Sequence, residues 1–348
     1  MAKTAARGGR SKVATPGSAK KRRQTRVTAK AVNLSTARAP APELATIFDY
    51  VRYAATRLKR ARVAFAHGTC DPVAEAAFLV GEAMHLHPDE VEPLAARRVP
   101  KAAGQRILGW IEQRIATRKP AAYLVNRMYM RGVPFYVDER VIVPRSFIGE
   151  LLDSHFGDDD VLRLRDPATV TRVLDLCTGS GCLAILAARA FPNATVDAGD
   201  LSAEALAVAA RNVRAHGLED RIQLAQGDLF AAVRGKRYDL ILSNPPYVDA
   251  QGMASLPREC LAEPRMAFDG GLDGLDIVHR ILREAVQHLK PDGGLLCEIG
   301  RGRGVLEAAY PQLPFLLLDT EESEGEVFWI DAAALADFVP ARHPVGAA

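Results

Sequence analysis

The chain has 348 residues, 48% hydrophobic and 25% charged, the composition of a globular protein with room for a sizeable core and two domains. Its net charge of +3 conceals a division: residues 1–40 carry eleven cations and no acid, while the other 34 cations face all 42 acids, a balance of −8. No apolar run reaches the roughly 18 residues of a membrane span, and no signal-peptide core follows Met1, so a cytoplasmic protein with no membrane partner is expected.

Residues 1–42 are rich in Lys, Arg, Ala, Ser, Thr, Gly and Pro and are expected to be disordered, because they cannot bury enough surface to offset ordering entropy. The run from Lys20 to Arg23 suits an arm that binds RNA by releasing phosphate counterions. A solubilising extension and an organellar transit peptide are the other readings of an acid-free segment.

Residues 43–119 read as a small helical bundle for substrate docking. Leu44, Ile47, Phe48, Val51, Ala54, Ala55 and Leu58 recur at three- and four-residue steps. Asp71-Pro72 supplies an N-cap and an N1 proline for a second helix. His85 and His87 near its end read as surface or capping groups. A third helix is expected near 89–97 and a fourth over about 102–118. Residues 120–145 alternate through Tyr123, Val125, Tyr129, Val133, Phe135, Val137, Val141 and Val143, which predicts a β-hairpin linker. A helix then starts at Pro144-Arg145-Ser146.

From about 170 to 335 strand, turn and helix repeat, which predicts a mostly parallel sheet with helices on both faces. Strands are expected at 170–176, 194–199, 222–225, 238–243, 295–299, 315–318 and 327–330, and residues 336–348 form a C-terminal tail. Residues 248–273 have little periodicity, and connections of that length are usually lids or binding loops. The five cysteines, 70, 177, 182, 260 and 297, include no C-x-x-C pair and no accompanying histidine cluster, so reduced thiols and no metal site are expected.

Four features fall at successive strand ends, where open α/β sheets bind ligands. The first is Asp175-Leu-Cys-Thr-Gly179-Ser-Gly181, whose glycines allow a sharp turn and close approach to a ligand. Asp200 ends the second strand and can take both hydroxyls of a ribose. Asp228 ends the third and can accept from an adenine amine. Standing alone, the two aspartates would read as a helix cap and a turn residue. The fourth feature is Asn244-Pro245-Pro246-Tyr247. An Asn oxygen and a proline carbonyl can accept both hydrogens of a planar NH2 group, and a Tyr ring can stack on its face. That is a seat for an amide or an exocyclic amine.

In order and spacing these features resemble the S-adenosylmethionine-dependent methyltransferases with a seven-stranded Rossmann-like sheet. Asn244-Pro-Pro-Tyr247 narrows the resemblance to amino-group methylators. The D-L-x-T-G-S-G string, Glu263-Pro264 and Glu298-Ile-Gly300 are similar to the protein-(glutamine-N(5)) methyltransferases. Cys177, the run Val137 to Arg145 and N-P-P-Y-V-D at 244–249 resemble the branch that modifies ribosomal protein L-three, since the release-factor branch carries Gly where Cys177 stands. The resemblance covers roughly residues 45–330 and omits the basic tail. It implies catalysis by Asn244, Pro245 and Tyr247, and substrate contacts from these, Pro246, Arg145 and Glu263. It implies S-adenosyl-L-methionine held by Asp175, Cys177, Thr178, Gly179, Gly181, Asp200, Leu201, Asp228, Leu229 and Asn244, with no metal. Rival readings are a release-factor glutamine methyltransferase, an adenine-amine nucleic-acid methyltransferase and a non-catalytic RNA-binding assembly factor. The second must extrude a base and usually carries a recognition domain larger than this bundle.

Overall fold

The computed structural model describes residues 44–69, 71–154, 166–321 and 323–337. The expected tail at 1–42, Cys70 and residues 338–348 lie outside the described residues.

The described chain opens with helices α1 (Ile47–Arg60), α2 (Pro72–Met84), α3 (Pro88–Val91), α4 (Lys101–Thr117) and α5 (Ala121–Val125). Thr46 and Asp49 form a reciprocal capping box on α1, and Asp71 accepts from the amides of Val73 and Ala74 at the start of α2. His85 closes α2 in the left-handed conformation, and His87 caps α3. Ile47, Leu58, Leu79, Ile107 and Ile111 bury together as the core of this bundle. Inside it the fully buried Arg114 donates Nε to Glu75 at 2.8 Å and a terminal nitrogen to the Ala64 carbonyl at 2.9 Å, so the buried charge is paired.

The linker differs from expectation. Its hairpin is confined to β1 (Met128–Met130) and β2 (Val133–Phe135). Tyr123 and Val125 belong to α5, and Val137, Val141 and Val143 are buried without pairing as a strand. The alternation reported burial on one side, which irregular chain also achieves when side chains supply the partners: Asn126 Nδ2 donates to the Val137 carbonyl at 3.1 Å, and the Tyr123 hydroxyl to that of Val141. The third helix is shorter than expected, ending at Val91.

The remainder runs α6 (Ile148–Ser154), β3 (Arg172–Leu176), α7 (Cys182–Ala190), β4 (Thr195–Asp200), α8 (Ala203–Ala215), β5 (Ile222–Gln226), β6 (Tyr238–Ser243), α9 (Ala250–Ser255), α10 (Asp276–His288), β7 (Leu289–Glu298), α11 (Arg303–Ala309), β8 (Leu316–Leu318), β9 (Val327–Asp331) and α12 (Ala332–Ala336). The strands form one seven-stranded sheet in the order β5-β4-β3-β6-β7-β9-β8. β5 through β7 are parallel, while β9 pairs antiparallel with both β7 and β8. This is the mostly parallel, Rossmann-like seven-stranded sheet that the sequence leads one to expect.

Strand period two sorts side chains onto its faces. Val173, Leu240, Leu242 and Leu296 join the core under α6 and α7, while Leu174, Ile241, Leu295 and Cys297 join the core under α10. The strand order reverses between β3 and β6, the switch point where such sheets open a crevice at the strands' carboxyl ends. The 248–273 connection contains α9 and two short 3₁₀ turns, Arg258–Ala262 and Arg265–Ala267.

Candidate active site

After β3 the chain turns back through three left-handed residues, Cys177 (φ 61°), Gly179 (φ 55°) and Gly181 (φ 80°). Gly181 is the N-cap of α7, and a Cβ there would stand 3.1 Å from that of Ala209, so α8 packs against bare backbone. The Thr178 amide donates to the Gly199 carbonyl at 3.0 Å, and the Gly179 amide to Asp200 Oδ2 at 2.9 Å, which ties the turn to the end of β4. Asn212 on α8 grips the same turn: its Nδ2 donates to the carbonyls of Ser180 (2.8 Å) and Tyr136 (3.0 Å), and its Oδ1 accepts from the Tyr136 amide. Asn212 escaped the sequence reading, although an Asn inside an Ala-rich helix, where it is poorly favoured, was a usable signal.

A cavity of about 480 Å³ opens beside this turn. Of the expected residues, Cys177, Gly179, Asp200, Leu201, Asp228, Leu229, Asn244 and Pro246 line it. Arg140, Val141 and Ile142 of the linker and Pro264, Arg265, Met266 and Ala267 of the 248–273 connection also line it; the sequence marks both stretches, the second as a lid or binding loop, without assigning these residues to the site. Asp200 Oδ1 accepts from the Ser202 amide at 2.8 Å, and burial raises its pKa above the ordinary value. The Asp228 carboxylate is half-exposed and meets Arg280 at 2.7 Å.

Asp175, Thr178, Gly181, Pro245, Tyr247, Arg145 and Glu263 do not line this cavity. Asp175 is fully buried beneath the turn. Its Oδ2 accepts from Thr178 Oγ1 at 2.5 Å and from the Ala184 amide at 3.0 Å. Burial outweighs those bonds and pushes its pKa up to about 7. Asp175 therefore shapes the turn from below.

Asn244 follows β6 directly. Its Nδ2 donates to the Arg145 carbonyl at 3.0 Å, and among the described residues its Oδ1 has no donor. The side chain is thus held by its nitrogen and presents its oxygen. The Tyr247 hydroxyl donates to Glu298 Oε1 at 2.8 Å, and its ring packs on Gly300, where a Cβ would lie 2.7 Å from the ring. Burial, with the Glu298 charge, raises the Tyr247 pKa well above the ordinary tyrosine value, so the hydroxyl stays protonated. Tyr247 lines a separate polar cleft with Asp249, Arg301 and Glu326. Glu298 Oε2 also accepts from Ser146 Oγ (2.7 Å) and the Phe147 amide (3.1 Å); burial lifts its pKa to about 7 despite these bonds.

Glu263 departs from its expected substrate contact. Its side chain has 0% exposure and is fully engaged: Oε1 accepts from the Val143 amide at 2.8 Å, and Oε2 lies 3.0 Å from His67 Nε2 and 3.3 Å from Arg145 Nη2. Burial alone would raise its pKa, but these partners override it and hold it below the ordinary value. The fold brings His67, Cys260 and Glu263 together, a grouping with metal-ligand donor types that the sequence did not reveal. The Arg145 guanidinium on Glu263 already supplies the positive charge a cation would bring there.

Comparison with known proteins gives the family. The family description "Methyltransferase small domain" matches residues 161–271. The ribosomal protein uL3 glutamine methyltransferase of Bradyrhizobium diazoefficiens is 68% identical over 295 residues, 84% of this chain and 92% of that protein. Proteins of the same name from Bordetella pertussis and Burkholderia pseudomallei are each 50% identical, over 82% and 83% of this chain and 94% and 95% of their own lengths. The chain belongs to the ribosomal protein uL3 glutamine methyltransferase family.

The cavity's donor set fits the S-adenosylmethionine of this family. A Cβ built on Gly179 meets nothing within 4 Å, so the turn offers open space to a ligand. Acidic Asp200 and Asp228 suit hydroxyl and amine donors, and Leu201, Leu229 and Ile277 suit a flat ring.

Proposed function

We propose that this enzyme methylates the side-chain amide nitrogen of a glutamine in ribosomal protein uL3, with S-adenosylmethionine as donor. The observation that carries the reading is the tethered Asn244, whose oxygen is left free to accept at the wall of the cavity. Asp200, Asp228 and the Cys177–Gly181 turn would hold the cofactor. When bound, the cofactor would supply an electrophilic methyl carbon on a sulfonium, with the amide nitrogen as its acceptor, sulfur as the leaving atom that would keep the bond pair, and an N–H proton lost in balance.

An amide nitrogen is a weak nucleophile because its lone pair is shared with the carbonyl, on the scale of the ~18–20 kcal/mol peptide rotation barrier. Asn244 Oδ1 and the Pro245 carbonyl accept its two hydrogens and favour positive charge growing on nitrogen, as preorganised dipoles do in other enzymes. Tyr247, fixed by Glu298, orients the amide plane from the neighbouring cleft. Glu263 and Arg145 act as supports in this scheme. The acid-free segment 1–40 supports a contact with ribosomal RNA beside the protein substrate, and a ribosomal substrate supports a cytoplasmic site of action. Among the described residues no helix is long and apolar enough to cross a membrane.

The test is to incubate the full chain and labelled cofactor with separated ribosomal proteins and release factors, then map the modified residue. Label on a glutamine amide of uL3 is expected. Label confined to a release factor, to nucleic acid or to nothing overturns the reading.

A further inference from the structure

A run of hydrogen bonds leads from the helical bundle to the amide at the cavity wall. His67 lies between α1 and α2, 5% exposed, with Nε2 at 3.0 Å from Glu263 Oε2. Glu263 holds the Val143 amide at 2.8 Å and faces both terminal nitrogens of Arg145 at 3.3–3.4 Å. Arg145 Nη1 donates in turn to the Ala66 carbonyl at 2.8 Å, next door to His67. The Arg145 carbonyl then accepts from Asn244 Nδ2.

Each link is needed because the one before it is otherwise loose. The terminal torsion of an Asn side chain is broad and roughly two-fold, so an untethered amide rotates or flips. Its tether, the Arg145 carbonyl, lies in a stretch with no strand ladder, so side chains must fix that backbone. Glu263 is the side chain that fixes it, from the Val143 amide to the Arg145 guanidinium. The 3₁₀ turn before Glu263 is tied to the bundle a second time: Glu259 Oε1 accepts from the Ala64 amide at 3.1 Å and from Arg118 at 3.2 Å.

We propose that His67 is a positioning residue for methyl transfer, setting through Glu263 and Arg145 the direction in which Asn244 presents its oxygen. The helical bundle then does more than dock the protein substrate, because its α1–α2 connection holds the acceptor geometry of the site. The proposal rests on the reading of Asn244 as the acceptor for the glutamine amide.

The experiment compares wild type, His67→Ala and His67→Gln in the full chain, well below each variant's melting temperature. His67→Ala is expected to lower kcat about tenfold, since small misplacements of positioned groups cost up to about a hundredfold. The Kd for the cofactor and the KM for the protein substrate stay within about twofold. His67→Gln, whose amide can donate to Glu263, restores most of kcat. A readout independent of turnover is solvent exchange of the Asn244 side-chain amide by NMR, assigned by its loss in Asn244→Asp, which should quicken in His67→Ala. Unchanged kcat and exchange in folded His67→Ala overturn the proposal. So does a loss that His67→Gln leaves unrepaired, or a fall in cofactor affinity as large as the fall in kcat. If wild type methylates no glutamine, the functional reading fails first, and the exchange rates still decide whether His67 holds Asn244.

Discussion

Cys177 occupies a left-handed position, φ 61°, in the turn that borders the cavity at the strand ends. An L-residue there carries roughly 1–2 kcal/mol of strain that glycine avoids, against roughly 0.5–1 kcal/mol of extra chain entropy for glycine. The usual order of core truncations should therefore invert. Cys177→Gly is expected to be more stable than Cys177→Ala by about 0.5–1 kcal/mol in urea unfolding, and alanine equal or better would show that the turn relaxes. Asn244→Ala removes the free acceptor and should lower methyl transfer at least about a hundredfold, the scale of one lost preorganised group. Cofactor affinity measured by calorimetry should change little, because Asp200 and Asp228 remain. Retained turnover would remove Asn244 from the mechanism. Both residues were legible because each stands just past an apolar strand, and strand ends are where the sheet places its ligands. Arg140 and Met266 were not, because they reach the cavity along loops whose path is set by distant partners such as His67 and Asn212.

Strands and helices of the sheet were legible wherever an apolar run ended at a polar or glycine punctuation, as at Tyr238–Ser243. They were misread where a glycine does two jobs. The strand expected at 295–299 begins earlier, at Leu289, so that Gly293 and Gly294 lie inside β7, which slips register between its pairings with Tyr238 and Leu240. Gly294 is required for a packing reason: a Cβ there would stand 2.1 Å from the ring of Trp329 on β9. That ring is 3% exposed, and its Nε1 donates to Asp331 at 3.0 Å, so it cannot swing aside without giving up a bond. Gly294→Ala should cost about 2–3 kcal/mol, the upper range for overpacking. At roughly 2–4 °C per kcal/mol, the melting temperature should fall by roughly 4–12 °C. A change under one degree would mean that the β7–β9 pair yields more easily than its geometry allows.

Charge organises the whole molecule in two ways. The first is the basic segment 1–40 against an acidic remainder. If about five of its eleven cations meet phosphates, deleting it should reduce the salt slope of RNA binding by about four, at roughly 0.7–0.9 per contact. An unchanged slope would leave the segment without an RNA role. The second is a pair of carboxylic acids buried in the fold, Asp175 and Glu298, both raised to about 7. In the unfolded chain each loses its proton near pH 4, whereas the folded protein keeps it until about pH 7. Between those values the folded state binds more protons, so stability must fall as pH rises and level off above about pH 7. Carboxylates with lowered pKa values, such as Asp138 at about 2, act in the opposite sense but lower on the pH scale. Melting temperature should therefore drop by several degrees from pH 5 to pH 7.5. Glu298→Gln imitates the protonated acid: its oxygen can still accept from Ser146 and Phe147, and its NH2 can donate to the Tyr247 oxygen. The variant should match wild type at pH 5, exceed it at pH 8 by up to a few kcal/mol, and show a shallower slope between. A slope equal to that of wild type would mean that Glu298 is ionised in the folded protein throughout this range.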